Sequence, residues 1–204
     1  MKTGEEMVRS WMLSQAAMST IKSDIILIGP VRAGKSTLSK LLSERLGRPQ
    51  VALDDLRWQY YREIGYDDKL AKTIRQRGGL LALVLYWQLF DAYAIERVLA
   101  GHHGCVFDFG AGAVALESHE NLARVRLALA PYPNVILVLP SPDTDETLEI
   151  LKARDVPPPT DLNFDFNRHF LERGFYQRLA RHTVFTQGKL PEETRDDILG
   201  LVVK

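Results

Sequence analysis

The sequence has one cysteine, no excess of either charge and no long apolar run. A single cysteine, Cys105, excludes an intramolecular disulfide framework and favours a reducing compartment. The 26 basic residues balance the 26 acidic ones, so no overall field favours nucleic acid or an anionic membrane. The longest apolar run, Leu80 to Trp87, is shorter than the roughly 20 residues that span a bilayer, and no segment has the pattern of a secretory signal. We therefore expect a cytoplasmic protein that binds neither nucleic acid nor membranes.

What the sequence does contain is a regular alternation of short β-rich runs and longer helical stretches. With 204 residues, of which 46% are apolar, the chain can bury one substantial core. The predicted strands are Ile25 to Ile28, Val51 to Leu53, Cys105 to Phe107, Val135 to Leu139 and Thr183 to Phe185. Strands separated by helical crossovers indicate an α/β fold with a mostly parallel sheet that is covered on both faces. Residues 1–22 show only a loose helical spacing, so we predict a peripheral arm there and one domain over residues 23–204.

A glycine-spaced turn follows the first predicted strand. Gly29 and Gly34 are separated by four residues and followed by Lys35 and Ser36, which satisfies the P-loop pattern G-x-x-x-x-G-K-[ST]. The turn lies between the apolar strand and a segment with leucines at helical spacing, which is the setting that a P-loop requires. Such a loop directs backbone N–H groups at the phosphates of a nucleoside triphosphate.

The residues beside this loop have distinct expected roles. Lys35 would reach the β and γ oxygens of the triphosphate, and Ser36 would offer its hydroxyl to Mg²⁺. Thr37 is either a further phosphate ligand or an ordinary residue at the start of a helix. Asp108 ends a hydrophobic strand, which is the arrangement that holds the Mg²⁺ water shell in many P-loop proteins, so it is the predicted Walker B carboxylate.

The order of these motifs resembles shikimate kinase and related small-molecule kinases. Between Asp24 and Val202, the P-loop is followed by the acidic pair Asp54-Asp55, by a strand that leads into Gly110-Ala111-Gly112, and by a short proline-containing lid near residues 155–166. The resemblance implies a P-loop NTPase-type three-layer fold with a mostly parallel five-stranded sheet, and a phosphotransferase that uses ATP and Mg²⁺. The nucleotide-binding residues predicted from the motif and the resemblance are Gly29, Arg32, Ala33, Gly34, Lys35, Ser36, Thr37 and Arg154.

The resemblance also implies an acceptor site. Asp54 or Asp55 would act with Lys35 in catalysis by binding the acceptor hydroxyl, and the sequence leaves open which of the two does so. The glycine turn, with Gly110, Ala111 and Gly112, would let the backbone approach the acceptor closely. Arg173 would bind a carboxylate of the acceptor.

Three departures from the family pattern concern the acceptor. Leu53 stands in the place of a carboxylate in one of the two possible alignments of the D-x-D element. Trp87 stands where an arginine that grips the acid group of shikimate is expected, so either the acceptor is not shikimate or Arg57 or Arg62 replaces that arginine. The proline-containing lid lacks an arginine, which Arg168 could supply from the following helix.

Three functional readings follow from these residues. The leading prediction is an ATP-dependent kinase that phosphorylates a hydroxyl of a small metabolite. A zeta-toxin-like kinase of nucleotide sugars is the second, although the short glycine turn argues against it. A regulatory domain that binds or slowly hydrolyses ATP is the third. The expected partners are a nucleoside triphosphate and a small hydroxylated acceptor, and we expect a monomer or weak dimer.

Overall fold

Five strands and seven helices alternate along the part of the chain that the computed structural model describes, residues 23–154 and 165–202. In chain order they are β1 (Ile25–Ile28), α1 (Lys35–Leu46), β2 (Gln50–Ala52), α2 (Leu53–Glu63), α3 (Asp68–Gly101), β3 (Val106–Asp108), α4 (His119–Leu129), β4 (Val135–Leu139), α5 (Thr144–Ala153), α6 (Phe166–Glu172), β5 (His182–Phe185) and α7 (Pro191–Leu201). The predicted arm at residues 1–22 and residues 155–164 of the predicted lid lie outside the described residues.

All five strands are parallel and form one sheet in the order β2-β3-β1-β4-β5. This confirms the predicted α/β fold with a parallel five-stranded sheet. The predicted strands are recovered within one residue at each end, and β3 extends to Asp108. Because β1 is central and the chain moves first to one side of it and then to the other, the ends of β1 and its neighbours form a topological switch point.

The core lies on both faces of the central strands. Every residue of β1 and of β4 is buried, which is typical of parallel strands that have helices packed on both sides. Leu38 and Leu42 of α1 are buried as the leucine spacing predicted, and Gly47 ends that helix in the left-handed conformation, with its N–H donated to the carbonyl of Ser43.

The long helix α3 has a break that shapes the candidate site. Gly79 has φ 71° and ψ −166°, values outside the helical region, so the helix changes direction there. By length and composition α3 could cross a membrane, which the short apolar run in the sequence did not predict. Within its most apolar stretch 44% of the residues are buried inside the protein, and a core helix of this kind meets the same criteria. Leu80 and Val84 follow this break and line a cavity that is described below.

Candidate active site

The candidate site lies at the carboxyl ends of β1, β2 and β3. In the sheet, Asp108 is the register partner of both Leu27 in β1 and Ala52 in β2. The P-loop, the first turn of α2 and the residues after β3 therefore meet at one edge, where α/β folds bind their ligands. This juxtaposition brings the predicted nucleotide and acceptor residues together.

The backbone of the P-loop depends on glycine at both ends. Gly29 has φ 141°, and a Cβ atom there would lie 2.5 Å from the carbonyl oxygen of Val138. Gly34 has φ 100° and precedes the first residue of α1. Between them Arg32 has φ 66° and is, in the described parts of the chain, the one residue other than glycine with a positive φ. These left-handed positions turn the loop back over the start of α1, as a phosphate-binding loop requires.

A groove of about 460 Å³ runs along the outer side of this loop. All six residues that line it belong to the predicted nucleotide-binding set: Arg32, Gly34, Lys35, Ser36, Thr37 and Arg154. Arg154 comes from the end of α5 and donates to the carbonyl oxygen of Arg32 at 3.0 Å. The other two predicted residues, Gly29 and Ala33, belong to the loop itself, and Ala33 is fully buried. The groove ends at the positive end of α1, which favours an anionic ligand.

The Lys35 ammonium is held inside the P-loop. Its Nζ donates to the carbonyl oxygens of Gly29 at 3.0 Å and Pro30 at 2.9 Å. Burial lowers the pKa of Lys35, while the negative charges of Asp108 and Asp54 act in the opposite direction. A buried ammonium with two carbonyl partners lacks a full counter-charge, so a phosphate oxygen would complete its environment.

Ser36 and Asp108, the two residues predicted to bind Mg²⁺, are in direct contact. The Ser36 hydroxyl donates to Oδ2 of Asp108 at 2.6 Å. Burial raises the pKa of Asp108, and the hydrogen bond from Ser36 and the charge of Lys35 oppose that shift. One hydroxyl and one carboxylate beside a phosphate groove are the oxygen ligands that Mg²⁺ uses in such sites, where waters and phosphates supply the rest. The donor set therefore fits Mg²⁺.

Beside the P-loop residue Val31 is a cavity of about 230 Å³, here called the acceptor cavity. It is lined by Val31, Asp54, Arg57, Leu80, Val84, Trp87, Asp91, Ala111, Gly112, Phe166 and Phe170. Asp54 and Asp55 both lie in the first turn of α2. Asp54 lines this cavity, whereas Asp55 is not among its lining residues. The negative charge of Asp54 also acts to raise the pKa of both Lys35 and Asp108. This interaction links the acceptor cavity to the residues of the nucleotide site.

The glycine turn after β3 packs against Asp54. A Cβ atom at Gly110 would lie 2.4 Å from Oδ1 of Asp54, whereas a Cβ atom at Gly112 would meet no atom within 4 Å. The fully buried Tyr176 fixes the turn by donating its hydroxyl to the carbonyl oxygen of Ala111 at 3.2 Å. The turn and the carboxylate are thus fitted to each other.

Arg57 lies at the inner end of the acceptor cavity in a buried polar cluster. Its guanidinium donates to Oδ1 of Asp54 at 3.1 Å and to the hydroxyl of Tyr61 at 2.6 Å, and lies 3.5 Å from Oδ1 of Asp91. Tyr61 in turn donates to Asp91. The guanidinium also lies about 5 Å from the ring centres of Trp58, Tyr61 and Trp87. Of the two arginines considered as replacements beside Trp87, Arg57 reaches the cavity.

Asp91 was not predicted as a site residue, although the sequence carries a signal for it. It is an acidic residue within the apolar second half of α3, and a carboxylate in such a position requires a buried partner. Burial raises its pKa to about 6, while the charge of Arg57 and the hydrogen bond from Tyr61 lower it.

Arg173 and Arg168 lie outside the residues that line the acceptor cavity. Arg173 donates to Oε2 of Glu117 at 3.0 Å, and its side chain is 52% exposed. Arg168 donates to Oε1 of Glu172 at 2.8 Å on the surface of α6. A role for Arg173 in binding an acceptor carboxylate stays a prediction that this arrangement does not favour.

Asn167 is a second residue that the sequence did not reveal. Its side-chain oxygen accepts the N–H of Val31 at 2.9 Å, and its amide nitrogen donates to the carbonyl oxygen of Val31 at 3.3 Å. These bonds join α6 to the P-loop across 136 residues of sequence, and no local pattern marks such a pair. Phe166 and Phe170 on the same short helix border the acceptor cavity, so α6 touches both halves of the site.

A third cavity, of about 270 Å³, adjoins the nucleotide groove. It is lined by residues of the loop, of α1 and of the segment after β5, including Ala33, Arg154, Thr186 and Pro191. The buried hydroxyl oxygen of Thr186 has no hydrogen-bond partner among the described residues. Because this cavity adjoins the phosphate groove, it is the candidate site for the nucleobase.

Comparison with known proteins agrees with this fold. A curated shikimate kinase of Streptomyces coelicolor is 28% identical over 187 residues, which cover 87% of this chain and 94% of that protein. The shikimate kinase of Acinetobacter baumannii in complex with shikimate superposes with a TM-score of 0.58 at 21% identity, covering 93% of this chain and 96% of that one. The chain is shikimate kinase-like. No protein-family model matches it.

A second solved structure supports the same fold. The shikimate kinase of Aquifex aeolicus has a TM-score of 0.55 and 22% identity, and covers 86% of this chain and 94% of its own. The shikimate kinase-like chain therefore has the P-loop NTPase fold, and it is a P-loop kinase of the small-metabolite kind that the sequence predicted. The comparisons do not favour the nucleotide-sugar kinase or the regulatory domain.

Proposed function

We propose that this kinase binds ATP and Mg²⁺ in the nucleotide groove and transfers the γ-phosphoryl group to a hydroxyl of a metabolite in the acceptor cavity. Asp54 orients that hydroxyl. The observation that carries the proposal is the position of Asp54, which borders the acceptor cavity. Its charge also acts on Lys35 of the nucleotide groove and on Asp108, the hydrogen-bond partner of Ser36.

The residues of the nucleotide groove neutralise and position the donor. Lys35 exchanges its carbonyl partners in the loop for oxygens of the β- and γ-phosphates. Ser36 and Asp108 would hold the Mg²⁺ ion, which when bound offsets charge on the same oxygens. The base occupies the cavity beside Arg154 and Pro191, which adjoins the nucleotide groove. Positioning and charge neutralisation supply most of the acceleration in phosphoryl transfer.

The acceptor reacts in line with the donor. The acceptor oxygen forms a bond to the γ-phosphorus while the bond from that phosphorus to the oxygen of the departing ADP breaks. The carboxylate of Asp54 accepts the proton that the hydroxyl loses. Arg57 holds Oδ1 of Asp54 through a hydrogen bond, and the glycine turn limits the carboxylate from the opposite side. We further propose that the enzyme acts in the cytoplasm, while its assembly as a monomer or weak dimer stays a prediction.

The test is acceptor-dependent ADP release, followed by mass spectrometry of the acceptor. A panel of cyclitols, sugars and ring acids is offered with ATP and Mg²⁺, and one class is expected to stimulate ADP release and gain one phosphoryl group. Asp54→Asn is expected to lower kcat by about 10²–10⁴-fold, because proton transfer is lost, with ATP affinity unchanged.

Asp55→Asn is the matched control, since it makes the same change one residue further along the same helical turn. Its kcat should stay within a few-fold of wild type. ATP binding without stimulation by any acceptor would contradict the proposed kinase activity, and a larger loss in Asp55→Asn than in Asp54→Asn would contradict the assigned carboxylate.

A further inference from the structure

We infer that the natural acceptor is a single hydroxylated ring without a carboxylate, either neutral or carrying an amino group. This inference rests on the proposed function, because it takes the acceptor cavity as the place where the phosphoryl group is received. Three properties of the cavity support it: the state of its cation, the charges around it and the nature of its walls.

The charge of the cation in the acceptor cavity is already matched by carboxylates, although its buried Nε has no hydrogen-bond partner among the described residues. Arg57 is the only Lys or Arg among the described residues that line this cavity. One of its terminal nitrogens is paired with Asp54 and the other with Tyr61 and Asp91. Its side chain is 9% exposed and that of Asp91 is 2% exposed, so this pair is largely removed from water. A carboxylate on the acceptor would find two carboxylates and one guanidinium already in place, and would be an unpaired charge in a partly buried site.

Among the described residues, the arginine of α6 and the arginine that follows α6 are both already paired. Arg173 is paired with Glu117, which also accepts from His169 at 2.8 Å. Arg168 is paired with Glu172 on the surface of α6. Lys35 remains, but its ammonium faces the loop carbonyls that precede the nucleotide groove.

The walls of the cavity fit the face of a ring. Apolar side chains from three elements line it: Val31, Leu80, Val84, Trp87, Phe166 and Phe170. The charged groups that line it, Asp54, Arg57 and Asp91, form one connected cluster. A volume of about 230 Å³ is below the roughly 300–1,000 Å³ of pockets for drug-sized ligands, so one ring of cyclitol or sugar size is expected. Such a ligand places its hydroxyls at this cluster and its C–H face against the aromatic walls.

The test uses a matched pair of ligands, shikimate and the alcohol in which its carboxylate is replaced by a hydroxymethyl group. Calorimetry with ADP and Mg²⁺ present at pH 7.5 measures both dissociation constants on the wild-type protein. The alcohol is expected to bind at least ten-fold more tightly than shikimate. Equal or tighter binding of shikimate, or no binding of the alcohol, would overturn the inference.

Two variants test whether the charges around Arg57 cause the preference for the alcohol over shikimate. Asp91→Asn removes one carboxylate from Arg57 and is expected to tighten shikimate binding at least five-fold, with little change for the alcohol. Glu96→Gln makes the same type of change on the same helix, in an ion pair with Arg124, and should alter neither ligand. Trp87→Lys places a cation in the wall of the acceptor cavity and should also tighten shikimate binding. It serves as the second variant if Asp91→Asn does not fold. Unchanged shikimate affinity in a folded variant would contradict the charge argument.

Turnover separates this inference from the proposed function. Phosphorylation of shikimate in preference to the alcohol would refute the inference and support the kinase activity. Binding of the alcohol without phosphorylation of any acceptor would support the cavity chemistry and refute the proposed function.

Discussion

The carboxylate of Asp54 occupies the space that a side chain at Gly110 would need. A Cβ atom there would lie 2.4 Å from Oδ1 and 2.7 Å from Oδ2 of Asp54, closer than real Cβ contacts come. The glycine turn therefore sets the position of the carboxylate as well as making room for a ligand. The residue type at position 110 therefore affects the position of the Asp54 carboxylate, which lies on a helix 56 positions earlier in the sequence.

Gly110→Ala should lower kcat by displacing Asp54. Because the added methyl group would meet the carboxylate rather than backbone, the fold should tolerate it and the carboxylate should move. A displacement near 1 Å at a catalytic group lowers the rate by about 10²-fold. Steady-state kinetics with the identified acceptor measure the effect, and thermal unfolding checks that the fold is kept.

Gly112→Ala provides the contrast, since a Cβ atom there meets no atom within 4 Å. Any effect would come from contact with the bound acceptor, so KM should rise while kcat is largely retained. Equal losses of kcat in the two variants would show that the clash with Asp54 does not govern the rate.

Ser36→Ala should raise the Mg²⁺ concentration needed for turnover. The hydroxyl lies 2.6 Å from Asp108 and is one of the two protein oxygens of the Mg²⁺ site proposed above. Loss of one ligand from such a site is expected to weaken Mg²⁺ about 10–100-fold, as is found for mutated partners of metal ligands. The measurement is a titration of ADP release with Mg²⁺ at saturating ATP.

Ser36→Thr is the control for that titration, because threonine keeps the hydroxyl and also satisfies the P-loop pattern. It should restore a Mg²⁺ requirement near that of wild type. A Mg²⁺ requirement in Ser36→Ala equal to that of Ser36→Thr would exclude the hydroxyl as a ligand.

Asn167→Ala should loosen the P-loop. The variant removes the two hydrogen bonds between Asn167 and the backbone of Val31, each worth about 0.5–1.5 kcal/mol. Hydrogen exchange at the Val31 amide should therefore become about 5–10-fold faster, and KM for ATP should rise. Asn121→Ala, which removes a bond to the carbonyl of Gln88 instead, should leave exchange at Val31 unchanged. Unaltered exchange in Asn167→Ala would mean that the loop is held by other contacts.

Much of the fold was predictable because its signals are local. Apolar runs bounded by turn residues located all five strands, and the P-loop pattern placed Lys35 and Ser36 beside an expected phosphate groove. The pairing of Asp108 with the P-loop followed from a general property of parallel sheets, whose carboxyl ends meet at one edge. The sequence left Asp54 and Asp55 undecided because both begin the same helix, and only packing against Gly110 distinguishes them.

The remaining features depend on partners that are distant in the sequence. Arg57 and Asp91 are 34 positions apart and lie on different helices, where charged residues are mostly solvent-exposed and are rarely buried unless paired. Asn167 bonds to a residue 136 positions earlier. Arg173 illustrates the converse case, since a family pattern assigned it to the acceptor while its side chain is paired with Glu117 on the outside. Pair contacts of this kind arise from the packing of α2, α3 and α6.

Ionisation of Asp91 should lower the free energy of unfolding as the pH rises from about 4 to about 6. Burial raises the pKa of this carboxyl from the ordinary 3.8 to about 6 in the folded protein. Between those two pH values the folded protein keeps a proton that the unfolded chain has released, so the free energy of unfolding falls with rising pH. A shift of about two pKa units corresponds to about 3 kcal/mol, and no further loss from this group is expected above pH 7.

Asp91→Asn isolates that contribution, because asparagine does not titrate while every other carboxyl is retained. Urea unfolding of both proteins at several pH values between 4 and 7 gives the difference in free energy of unfolding. That difference should change by about 3 kcal/mol across the interval, with wild type losing stability relative to the variant as the pH rises. Parallel curves would mean that Asp91 ionises in the folded protein as easily as in the unfolded chain. The pair with Arg57 would then compensate fully for burial of the carboxylate.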